Sequence, residues 1–511
     1  MENAQGNALG EKNQGSLIKR IYDNVYGYIS VERNEYQKII KNPFFQRLHN
    51  IRQMGLTNLV FPGAEHTRFA HSLGVMHIVE KMMAAQEPYE VKFNDDDKTL
   101  IRLSALLHDI GHFPLSHTIE QVLLEDKARI DKERNKSAKI FNDSEGDAEK
   151  EEQSINTLPT DEIAPGTKLH EKMGEHVLEN TGLVGILKKE FGVDARELAG
   201  IFKGDLADRG DTSNKMYLLA INFMHSQLDA DRIDYLMRDS SFTGVKSGAI
   251  DFDKLLHEIY YQMDDGKYGI DRSGIRVLEQ FFMARFAAYC QVPFNKKVQG
   301  FNHMAAEVYR YMLNSGNAYG YYKLVDMLKE TPEEFLKYND HYFYSLVYKI
   351  LDAPTTGIGE FVIPRGDVVR KYAQCILKGQ ALKLVISEER FCTKEEWIYF
   401  IENESQIERL KLSKKEYAIE LGMAEDDIII IESEKKPLKV INGDKNNEPL
   451  YIYDRFRPEG ERVVNILDLP DTFLSSFIGT DGKELEKKLY IRRVFTFEKS
   501  KRDQLKDRLY R

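Results

Sequence analysis

Apolar residues recur mostly with the period of a helix through about residue 330. The exception comes first: RIYDNVYGYISVERNE alternates apolar and polar residues around Gly27, which predicts a short β-hairpin. The longest helical patterns that follow are HSLGVMHIVEKMMAA, DKTLIRLSALLHDI, EKMGEHVLENTGL, MYLLAINFMHSQLDADRIDYLMRDS and IRVLEQFFMARFAAYC. The fold class predicted by this pattern is mainly α: a helical body with a short N-terminal β-hairpin.

Two segments depart from the helical pattern. Residues 126–165 are highly charged and poor in large apolar side chains, which predicts a mobile surface insertion. Beyond residue 331, IIIIES, PLYIYD and KKLYIRRVFTFE are typical of strands, whereas EEWIYFIENESQIERLKL and KKEYAIEL are typical of helices. We therefore expect a flexible tail over residues 1–16, the helical body over 17–330, and a smaller C-terminal α+β domain over 331–511.

The composition is that of a soluble globular protein with an excess of acidic residues. Of 511 residues, 42% are hydrophobic and 30% are charged, and 72 Lys and Arg against 82 Asp and Glu give a net charge of −10. Such a chain is not a general coat for nucleic acids or membranes, although a local basic pocket for phosphates is compatible with it. Three isolated cysteines, no long apolar run and a polar start predict a cytoplasmic protein.

Residues 106–117, LLHDIGHFPLSH, place four ionisable side chains on a stretch that begins as a buried helix face: His108, Asp109, His112 and His117. Burying such groups without a partner is unfavourable. Neutral imidazoles together with a carboxylate are suitable ligands for a divalent metal ion. Because Gly111 permits a turn and Pro114 stops the helix from continuing, we expect these ligands at a helix junction that faces a cleft.

A His-Asp pair alone more often makes a local hydrogen bond than a metal site, but three further stretches carry side chains of the same chemistry. They supply His66, Arg68 and His71 in EHTRFAHSLG, His170 and Glu171 in LHEKMGEH, and Asp231, Tyr235 and Asp239 on one helical stripe in SQLDADRIDYLMRD. The sequence therefore predicts one composite site rather than an isolated dipeptide.

Taken in order, FPGAEHTRFAHSLGV, LLHDIGHFPLSH, HE at 170–171 and DADRIDYLMRD closely resemble the motifs of the HD superfamily of metal-dependent phosphohydrolases, in its bacterial-type deoxynucleoside triphosphate (dNTP) triphosphohydrolase branch. The resemblance covers about residues 17–310 and extends weakly into the C-terminal domain. It implies a divalent metal cofactor with the ligands His71, His108, Asp109 and Asp231. Manganese, iron or zinc suits these ligands, and magnesium is expected as a second ion bound with the phosphates.

The resemblance also implies roles for residues around the metal. In the catalytic group, Arg68 contacts the α-phosphate, and His112 and His117 contact phosphates. His117 also protonates the leaving 5′-oxygen, with Glu120 placed to orient its ring. His170 matches a catalytic histidine, and Glu171 lies beside it. In the substrate-binding group, Gln53 and Asp239 bind the 3′-hydroxyl, Tyr235 packs under the sugar, and Arg68 and Arg232 contact phosphates. The second tyrosine that excludes ribonucleotides in the family falls at Phe294 in one register, while Tyr289 lies one turn away.

The implied reaction is hydrolysis of a dNTP to deoxynucleoside and inorganic triphosphate, in a homo-oligomer, with a tetramer favoured and a nucleotide as activator. The candidate regulatory residues in IIKNPFFQRLHNIRQMG are Lys41, Gln46, Arg47 and His49. Lys41 stands where the family has an aspartate that accepts from guanine, and His49 stands where it has an arginine. A lysine only donates, so we expect that any activation does not depend on guanine in the usual manner.

Two alternative functions share part of this pattern. Another HD phosphohydrolase, acting on cyclic nucleotides or on alarmones, would use the same four metal ligands but would not need Gln53 or Asp239. A non-catalytic protein that binds nucleotides or single-stranded nucleic acid would not need the complete metal set, and the acidic net charge disfavours it.

Overall fold

The computed structural model describes residues 18–144, 168–204, 215–246, 250–262, 267–356, 361–364, 366–435, 450–469, 472 and 487–510. Over these residues the protein is mainly α-helical, as the periodicity predicts. The α-helices are α1 (Arg33–Glu35), α2 (Pro43–Gln46), α3 (Arg68–Ala84), α4 (Asp95–Leu107), α5 (His117–Ser144), α6 (Leu169–Asn180), α7 (Leu183–Ile186), α8 (Ala195–Lys203), α9 (Lys215–His225), α10 (Ala230–Thr243), α11 (Phe252–His257), α12 (Ile275–Gln291), α13 (Lys296–Asn314), α14 (Tyr321–Glu330), α15 (Pro332–Phe335), α16 (Asp340–Asp352), α17 (Val368–Leu377), α18 (Lys394–Asn403), α19 (Gln406–Leu412), α20 (Lys414–Glu420) and α21 (Lys499–Leu509).

The strands form three small sheets within the described residues. They are β1 (Ile18–Asp23), β2 (Gly27–Glu32), β3 (Ile259–Gln262), β4 (Lys267–Asp271), β5 (Lys383–Cys392), β6 (Ile429–Lys435), β7 (Tyr451–Tyr453), β8 (Val463–Asn465) and β9 (Lys488–Thr496). The sheet orders are β1-β2, β3-β4-β7-β8 and β5-β9-β6. The predicted tail over residues 1–16 and the part of the predicted insertion over residues 145–165 lie outside the described residues.

The predicted N-terminal hairpin is confirmed. Strands β1 and β2 pair antiparallel with Asp23 opposite Gly27, and Gly27 adopts the positive φ of 72° that the turn requires. The Asp23 carboxylate accepts hydrogen bonds from the backbone N–H groups of Val25 and Tyr26 at 2.8 and 3.1 Å. The turn is therefore fixed by its own sequence before it packs against the helices.

Helix caps decide where the ligand-bearing helices start and stop. Helix α4 begins at an Asn94 capping box, and its first turn carries Asp95, Asp96 and Asp97, which interact favourably with the positive end of the helix dipole. It ends at Leu107, so that His108 is the C-cap. Helix α10 begins after Asp229, whose side chain accepts from the Arg232 N–H at 2.8 Å. This cap divides the long pattern over residues 216–240 into α9 and α10.

Residues 126–144 correct the prediction of a mobile insertion that begins at residue 126. They continue α5 as a helix to Ser144. The charged side chains are spaced for pairing along the helix: the Lys127 ammonium lies 2.8 Å from the Asp131 carboxylate, and the Arg129 guanidinium lies 2.6 Å from that of Asp126. The Arg134 guanidinium also stacks over the Tyr322 ring of α14 at 4.0 Å. The charge of this segment therefore stabilises a helix on the body.

The predicted C-terminal domain shares structure with the helical body. Strand β7 pairs parallel with β4, with Ile452 opposite Ile270, so one sheet contains strands from both sides of residue 331. The sheet of β5, β9 and β6 is antiparallel, and the Trp397 ring of α18 stacks on Tyr490 of β9 with 5.0 Å between centroids. Strand β5, which the sequence did not predict, supplies one edge of this sheet.

Two glycines let the helices around the histidines approach closely. A Cβ atom at Gly74 of α3 would lie 1.8 Å from Asp234 Oδ1, and one at Gly111 would lie 2.1 Å from the backbone nitrogen of Gly174 in α6. Gly111, two residues after the His-Asp pair, is therefore a contact point between the α4–α5 connection and α6. This packing gives Gly111 a role that differs from the predicted freedom to turn, since its φ is not positive.

Replacing Gly111 by alanine tests this contact. Because the atoms a Cβ would meet are backbone atoms that cannot rotate away, we expect a loss of about 1–3 kcal/mol or more of stability. The matched control is Gly185→Ala in α7, where a Cβ meets nothing within 4 Å. Thermal unfolding should show a lower midpoint for Gly111→Ala and an unchanged or higher midpoint for Gly185→Ala. Equal midpoints for the two variants would contradict the packing.

Candidate active site

His71 and His108 each have the ring nitrogen Nε2 free to face the same ligand position. His108 Nδ1 lies 2.7 Å from the Ala105 carbonyl oxygen, and His71 Nδ1 lies 2.6 Å from Asp234 Oδ2. A carbonyl or carboxylate oxygen only accepts, so Nδ1 is the donor in both rings and a neutral ring keeps its lone pair on Nε2. Both Nε2 atoms are buried; that of His108 has no hydrogen-bond partner, and that of His71 lies 3.1 Å from Asp231 Oδ1 without good hydrogen-bond geometry. Each is therefore available as a ligand atom.

Asp109 and Asp231 complete this group of donors. Ligand atoms of His71, His108 and Asp231 lie within 4.8 Å of one another. The Asp109 carboxylate lies 3.8 Å from His71 Nε2 and 3.5 Å from His108 Nε2. Two imidazoles with free Nε2 lone pairs and two carboxylates form a donor set that fits a divalent transition-metal ion. The structure thus brings together the four residues proposed as metal ligands.

A buried network behind His71 fixes the orientation of its ring. Asp234, which accepts from His71, is also bonded to the Arg238 guanidinium at 2.9 Å and to the Tyr26 hydroxyl at 2.7 Å. Arg238 donates in turn to Asp23 in the hairpin at 2.8 Å. Burial alone would raise the pKa of Asp234, but Arg238 and His71 outweigh it and lower that pKa to about 2. The carboxylate is therefore ionised when it holds the histidine.

Arg68 neutralises Asp109 inside the protein. Its Nη1 lies 2.7 Å from Asp109 Oδ2, its Nε is 3.0 Å from Ser116 Oγ, and both charged side chains are almost fully buried. Burial alone would raise the pKa of Asp109, but the guanidinium and the imidazoles nearby outweigh burial and hold that pKa well below its usual range. Burial is likewise outweighed at Asp231, where His71 and Lys168 hold the pKa well below its usual range.

A second group of three histidines, His112, His117 and His170, lies beside the first, with ligand atoms within 4.8 Å of one another. His117 Nδ1 and His170 Nδ1 each lie 2.7 Å from a different oxygen of Glu120. The His112 and His170 rings stack with 4.1 Å between centroids. One carboxylate thus orients two imidazoles. Desolvation between the pocket walls lowers the pKa of His117, and Glu120 opposes that effect.

Most of the predicted site residues line one cavity of about 390 Å³. Its wall includes the predicted residues Gln53, Arg68, Asp109, His117, His170, Asp231, Arg232, Tyr235 and Asp239. This volume is within the range of small-molecule sites. The Arg232 guanidinium lines the cavity, but some of its N–H groups already donate to the Asp229 carboxylate and to the Ser226 carbonyl oxygen.

Three predicted catalytic or binding residues need a different description. Glu171 is buried and is absent from the cavity wall; its carboxylate accepts from the Lys168 N–H at 2.8 Å and pairs with the Lys168 ammonium at 3.1 Å. It is placed to act through Lys168 rather than on a ligand. His112 is fully buried behind His170 and is also absent from the wall. Of the two aromatic candidates for sugar selection, Tyr289 lines the cavity and Phe294 does not.

The candidate regulatory residues divide between surface and interior. Lys41 and His49 are exposed; the Lys41 ammonium lies 5.1 Å from the Tyr36 ring centroid, and the His49 ring stacks on Phe69. Gln46 donates to the Ile40 carbonyl oxygen. Arg47 is buried and donates to the carbonyl oxygens of Tyr338, Ile110 and His112. Its donors therefore hold the active-site loop, and its regulatory role stays a prediction.

Sequence reasoning missed several residues that the fold brings to this site. Lys168 and Arg285 line the cavity as cations, and the Lys168 ammonium lies 4.0 Å from Asp231. The structure also gives a contact for His66, which the sequence had already placed in the composite site: its Nε2 lies 2.7 Å from Asp239 Oδ1. Neither Lys168 nor Arg285 stands in a motif with a recognisable spacing, so only the tertiary structure identifies them. Asp234 could have been predicted from the sequence, since it lies on the same helix as Asp231 at the position that faces α3.

The arrangement combines a divalent-metal donor set, four cations and two carboxylate-oriented imidazoles around one cavity. Arg68, Lys168, Arg232 and Arg285 can bind a phosphate chain, and His117 and His170 can hold or transfer protons. Such a combination is suited to phosphoryl chemistry on an anionic substrate.

The sequence of this region belongs to a known class. Residues 68–189 match the HD domain family, so this segment of the chain is similar to HD domains. The matched segment contains His71, His108, Asp109 and both members of the Glu120-oriented histidine pair.

Relatives and a solved structure extend the comparison beyond the HD domain. An uncharacterized protein of Bacillus subtilis, YwfO, is 31% identical over 53% of this chain and 51% of its own length. A deoxynucleoside triphosphate triphosphohydrolase SAMHD1 homolog of Dictyostelium discoideum is 26% identical over 63% of this chain and 53% of its own. This chain thus spans about half the length of the curated relatives it matches. A hypothetical protein from Aquifex aeolicus has the same fold, with a TM-score of 0.64 and 24% identity over 96% of this chain and all of that one.

Across the described residues, helices long and apolar enough to cross a bilayer are absent. This finding agrees with the lack of a long apolar run in the sequence.

Replacing Asp234 by asparagine tests the orientation of the metal ligand His71. Loss of a carboxylate behind a ligating histidine typically lowers metal affinity by about 10–100-fold. We expect a decrease of this order for Mn²⁺, measured by isothermal titration calorimetry. The control is Asp23→Asn, which also weakens the pairing of Arg238 but leaves the bond between Asp234 and His71. A similar loss of affinity in both variants would indicate that general destabilisation, rather than orientation of His71, is responsible.

Proposed function

We propose that this protein hydrolyses dNTPs to deoxynucleoside and inorganic triphosphate, with a divalent metal ion held by His71, His108, Asp109 and Asp231. The observation that carries the proposal is the single cavity that is lined by Asp109 and Asp231, by four cations and by polar groups suited to a sugar. The likeness to relatives named as triphosphohydrolases supports it. The ion is manganese, iron or zinc, with magnesium as a companion of the phosphates.

A divalent ion in this donor set supplies Lewis-acid polarisation of a phosphoryl oxygen and activates water near neutral pH. The protein's own contribution begins with charge. Arg68 is fixed by Asp109 and Ser116 and places a guanidinium at the start of the phosphate site. Lys168, Arg232 and Arg285 continue the positive wall of the cavity. Such fixed cations stabilise negative charge that develops on the phosphate as it reacts.

Proton transfer is assigned to His117, with His170 beside it. Glu120 binds Nδ1 of both rings, so the Nε2 atoms are the ones left to act on a ligand. Desolvation lowers the pKa of His117, and the Glu120 carboxylate opposes that effect. The negative charge of a bound phosphate would add to that of Glu120, so that His117 holds a proton at Nε2 and donates it to the leaving 5′-oxygen. The two histidines would therefore work at the α-phosphate, and the remaining phosphates would leave as intact triphosphate.

The sugar is held by polar and aromatic side chains that line the same cavity. Gln53 has a buried Oε1 without a hydrogen-bond partner, and Asp239 is held in place by His66. These groups are suited to a 3′-hydroxyl, since a hydroxyl both donates and accepts. Tyr235 and Tyr289 also line the cavity, with 6.4 Å between their ring centroids. In this proposal Tyr235 packs under the sugar and Tyr289 limits the space for a 2′-hydroxyl.

Regulation and assembly complete the proposal. The enzyme acts as a homo-oligomer, with a tetramer favoured, and a nucleotide activator binds away from the cavity. Lys41 and His49 are the exposed members of the proposed activator contact. Because a lysine offers only donors, this contact favours a carbonyl edge or an additional phosphate over the N–H edge of guanine.

Product analysis tests this function directly. The purified chain with Mn²⁺ or Mg²⁺ is incubated with each dNTP, each NTP, a cyclic nucleotide and an alarmone, and the products are separated by ion-exchange chromatography. We expect deoxynucleoside and intact triphosphate from dNTPs, because the catalytic groups all lie at one phosphate. Asp109→Asn, checked for folding by circular dichroism, should give none. Orthophosphate or pyrophosphate as the first product, or turnover only of the cyclic nucleotide or alarmone, would contradict the proposal.

A further inference from the structure

The connection that delivers His117 to the cavity contains two residues in an unfavourable backbone conformation. Leu115 and Ser116 have φ values of 52° and 54°, and the only other non-glycine residue with positive φ among the described residues is Glu90. Neither Leu nor Ser commonly adopts this left-handed conformation, and two in succession are rarer still. Such a conformation persists only where surrounding contacts hold it, and it is common at functional sites.

These two residues determine where catalytic groups lie. Ser116 Oγ accepts from Arg68 Nε at 3.0 Å and donates to the Arg52 carbonyl oxygen at 2.8 Å. His117, the next residue, begins α5 and lines the cavity together with Leu115 and Ser116. If the turn relaxed to an ordinary conformation, both the Arg68 contact and the direction of His117 would change.

Asp340, the first residue of α16, holds this turn from behind. Its Oδ1 accepts from the Leu115 N–H at 2.8 Å, and its Oδ2 accepts from the Arg52 N–H at 3.1 Å. The side chain is buried, and the nearest cation is the Arg52 guanidinium at 3.7 Å. One carboxylate thus joins the strained turn to the segment that carries Gln53, and these segments form two walls of the cavity.

The segment around Asp340 makes further contacts with the same turn. The Tyr338 carbonyl oxygen accepts from Arg47, which also donates to the carbonyl oxygens of Ile110 and His112. On the other wall, a Cβ atom at Gly55 would lie 3.1 Å from the Leu115 carbonyl oxygen, so the two walls are in close contact. Residues 338–340 therefore hold both ends of the connection between the His-Asp pair and α5.

The Asp340 carboxylate is buried, and burial disfavours its ionised form. Burial raises the pKa of Asp340 to about 6, although the two backbone N–H groups and Arg52 oppose that effect. A residue that served only to start α16 would not need this burial, because Asn339 already caps that helix. The placement points to a function for the contacts with Leu115 and Arg52.

We propose that Asp340 is a positioning residue: it holds the Leu115–Ser116 turn and the Arg52–Gln53 segment in the arrangement that directs His117 and Arg68 at the reacting phosphate. The proposal deepens the proposed function and rests on it. Asp340 itself touches neither a ligand nor a metal donor. It acts through two backbone N–H groups, one on each wall of the cavity.

The experiment compares Asp340→Asn with the full-length wild-type protein. An asparagine is nearly isosteric but has one acceptor oxygen in place of two, so either the Leu115 or the Arg52 N–H loses its partner. We expect amide hydrogen exchange, measured by mass spectrometry, to rise on the order of tenfold or more in peptides covering residues 51–55 and 113–118. With dATP as substrate, we expect kcat to fall by a similar factor while KM changes little, because a misdirected His117 affects the reaction more than binding.

Two further variants make the result specific. Asp367→Asn removes a carboxylate that accepts a backbone N–H at the start of α17, away from the cavity, and should leave exchange in both peptides and kcat unchanged. Asp340→Glu keeps the charge and both acceptor oxygens one methylene further out, so both readouts should lie between wild type and Asp340→Asn. It also provides the comparison if the asparagine variant does not fold.

The outcomes separate this proposal from the proposed function. Wild-type exchange in both Asp340 variants overturns the proposal, as does faster exchange with an unchanged kcat, or an equal fall of kcat in Asp367→Asn. If the wild-type protein hydrolyses no dNTP, the proposed function fails. The exchange comparison then decides alone whether Asp340 holds the two walls together.

Discussion

The buried carboxylate of Asp109 is the charge around which the rest of the site is arranged. It lies between the two groups of histidines, 3.5 Å from His108 Nε2 on one side and 3.9 Å from His170 Nε2 on the other. A carboxylate in the interior is tolerated only when opposite charge or hydrogen bonds compensate it, and here Arg68 does so at 2.7 Å. A divalent cation requires the same negative charge among its ligands. The Asp109 carboxylate, which Arg68 stabilises in the interior, is therefore also suited to bind the metal ion.

The need to compensate buried charge continues through a series of contacts across the fold. His71 is oriented by Asp234, Asp234 by Arg238, and Arg238 by Asp23 in the N-terminal hairpin. On the other side, Glu120 orients the pair of histidines that faces the cavity. Because these polar groups are buried, each must be satisfied by the next, which explains why the charged core extends from the hairpin to α5. The glycines of α3 and of the α4–α5 connection allow the helices to come close enough for these bonds.

The sequence was sufficient to group those site residues that lie close together along the chain. The four ionisable residues of LLHDIGHFPLSH lie within one helix end and one turn, so their spacing already placed them together. The stripe of Asp231, Tyr235 and Asp239 follows from helical periodicity. Lys168, Arg285 and Asp340 could not be found in this way, because their neighbours in space are remote in sequence; Asp340 accepts from Leu115, which lies 225 positions away. Strand β5 was missed for a similar reason, since its partner β9 lies almost one hundred residues later.

Two segments show how tertiary contacts use the charged side chains of a sequence pattern. Residues 126–144 look like a solvated insertion by composition, yet their charges pair along a helix and stack on α14. Arg47 stands in a stretch that suggests regulation, yet it is buried and holds the carbonyl groups of the active-site loop. In the first segment the charges pair along the helix, where Arg129 remains 56% exposed, and in the second the Arg47 guanidinium acts inside the protein.

His71, His108, Asp109 and Asp231 are proposed as the primary metal site. Crystals grown with Mn²⁺, with diffraction data collected above the manganese absorption edge, would locate the ion. We expect an anomalous difference peak about 2.0–2.3 Å from the Nε2 atoms of His71 and His108 and from an oxygen of each aspartate. A strongest peak at the His112, His117 and His170 group, or no peak near Asp109, would contradict it.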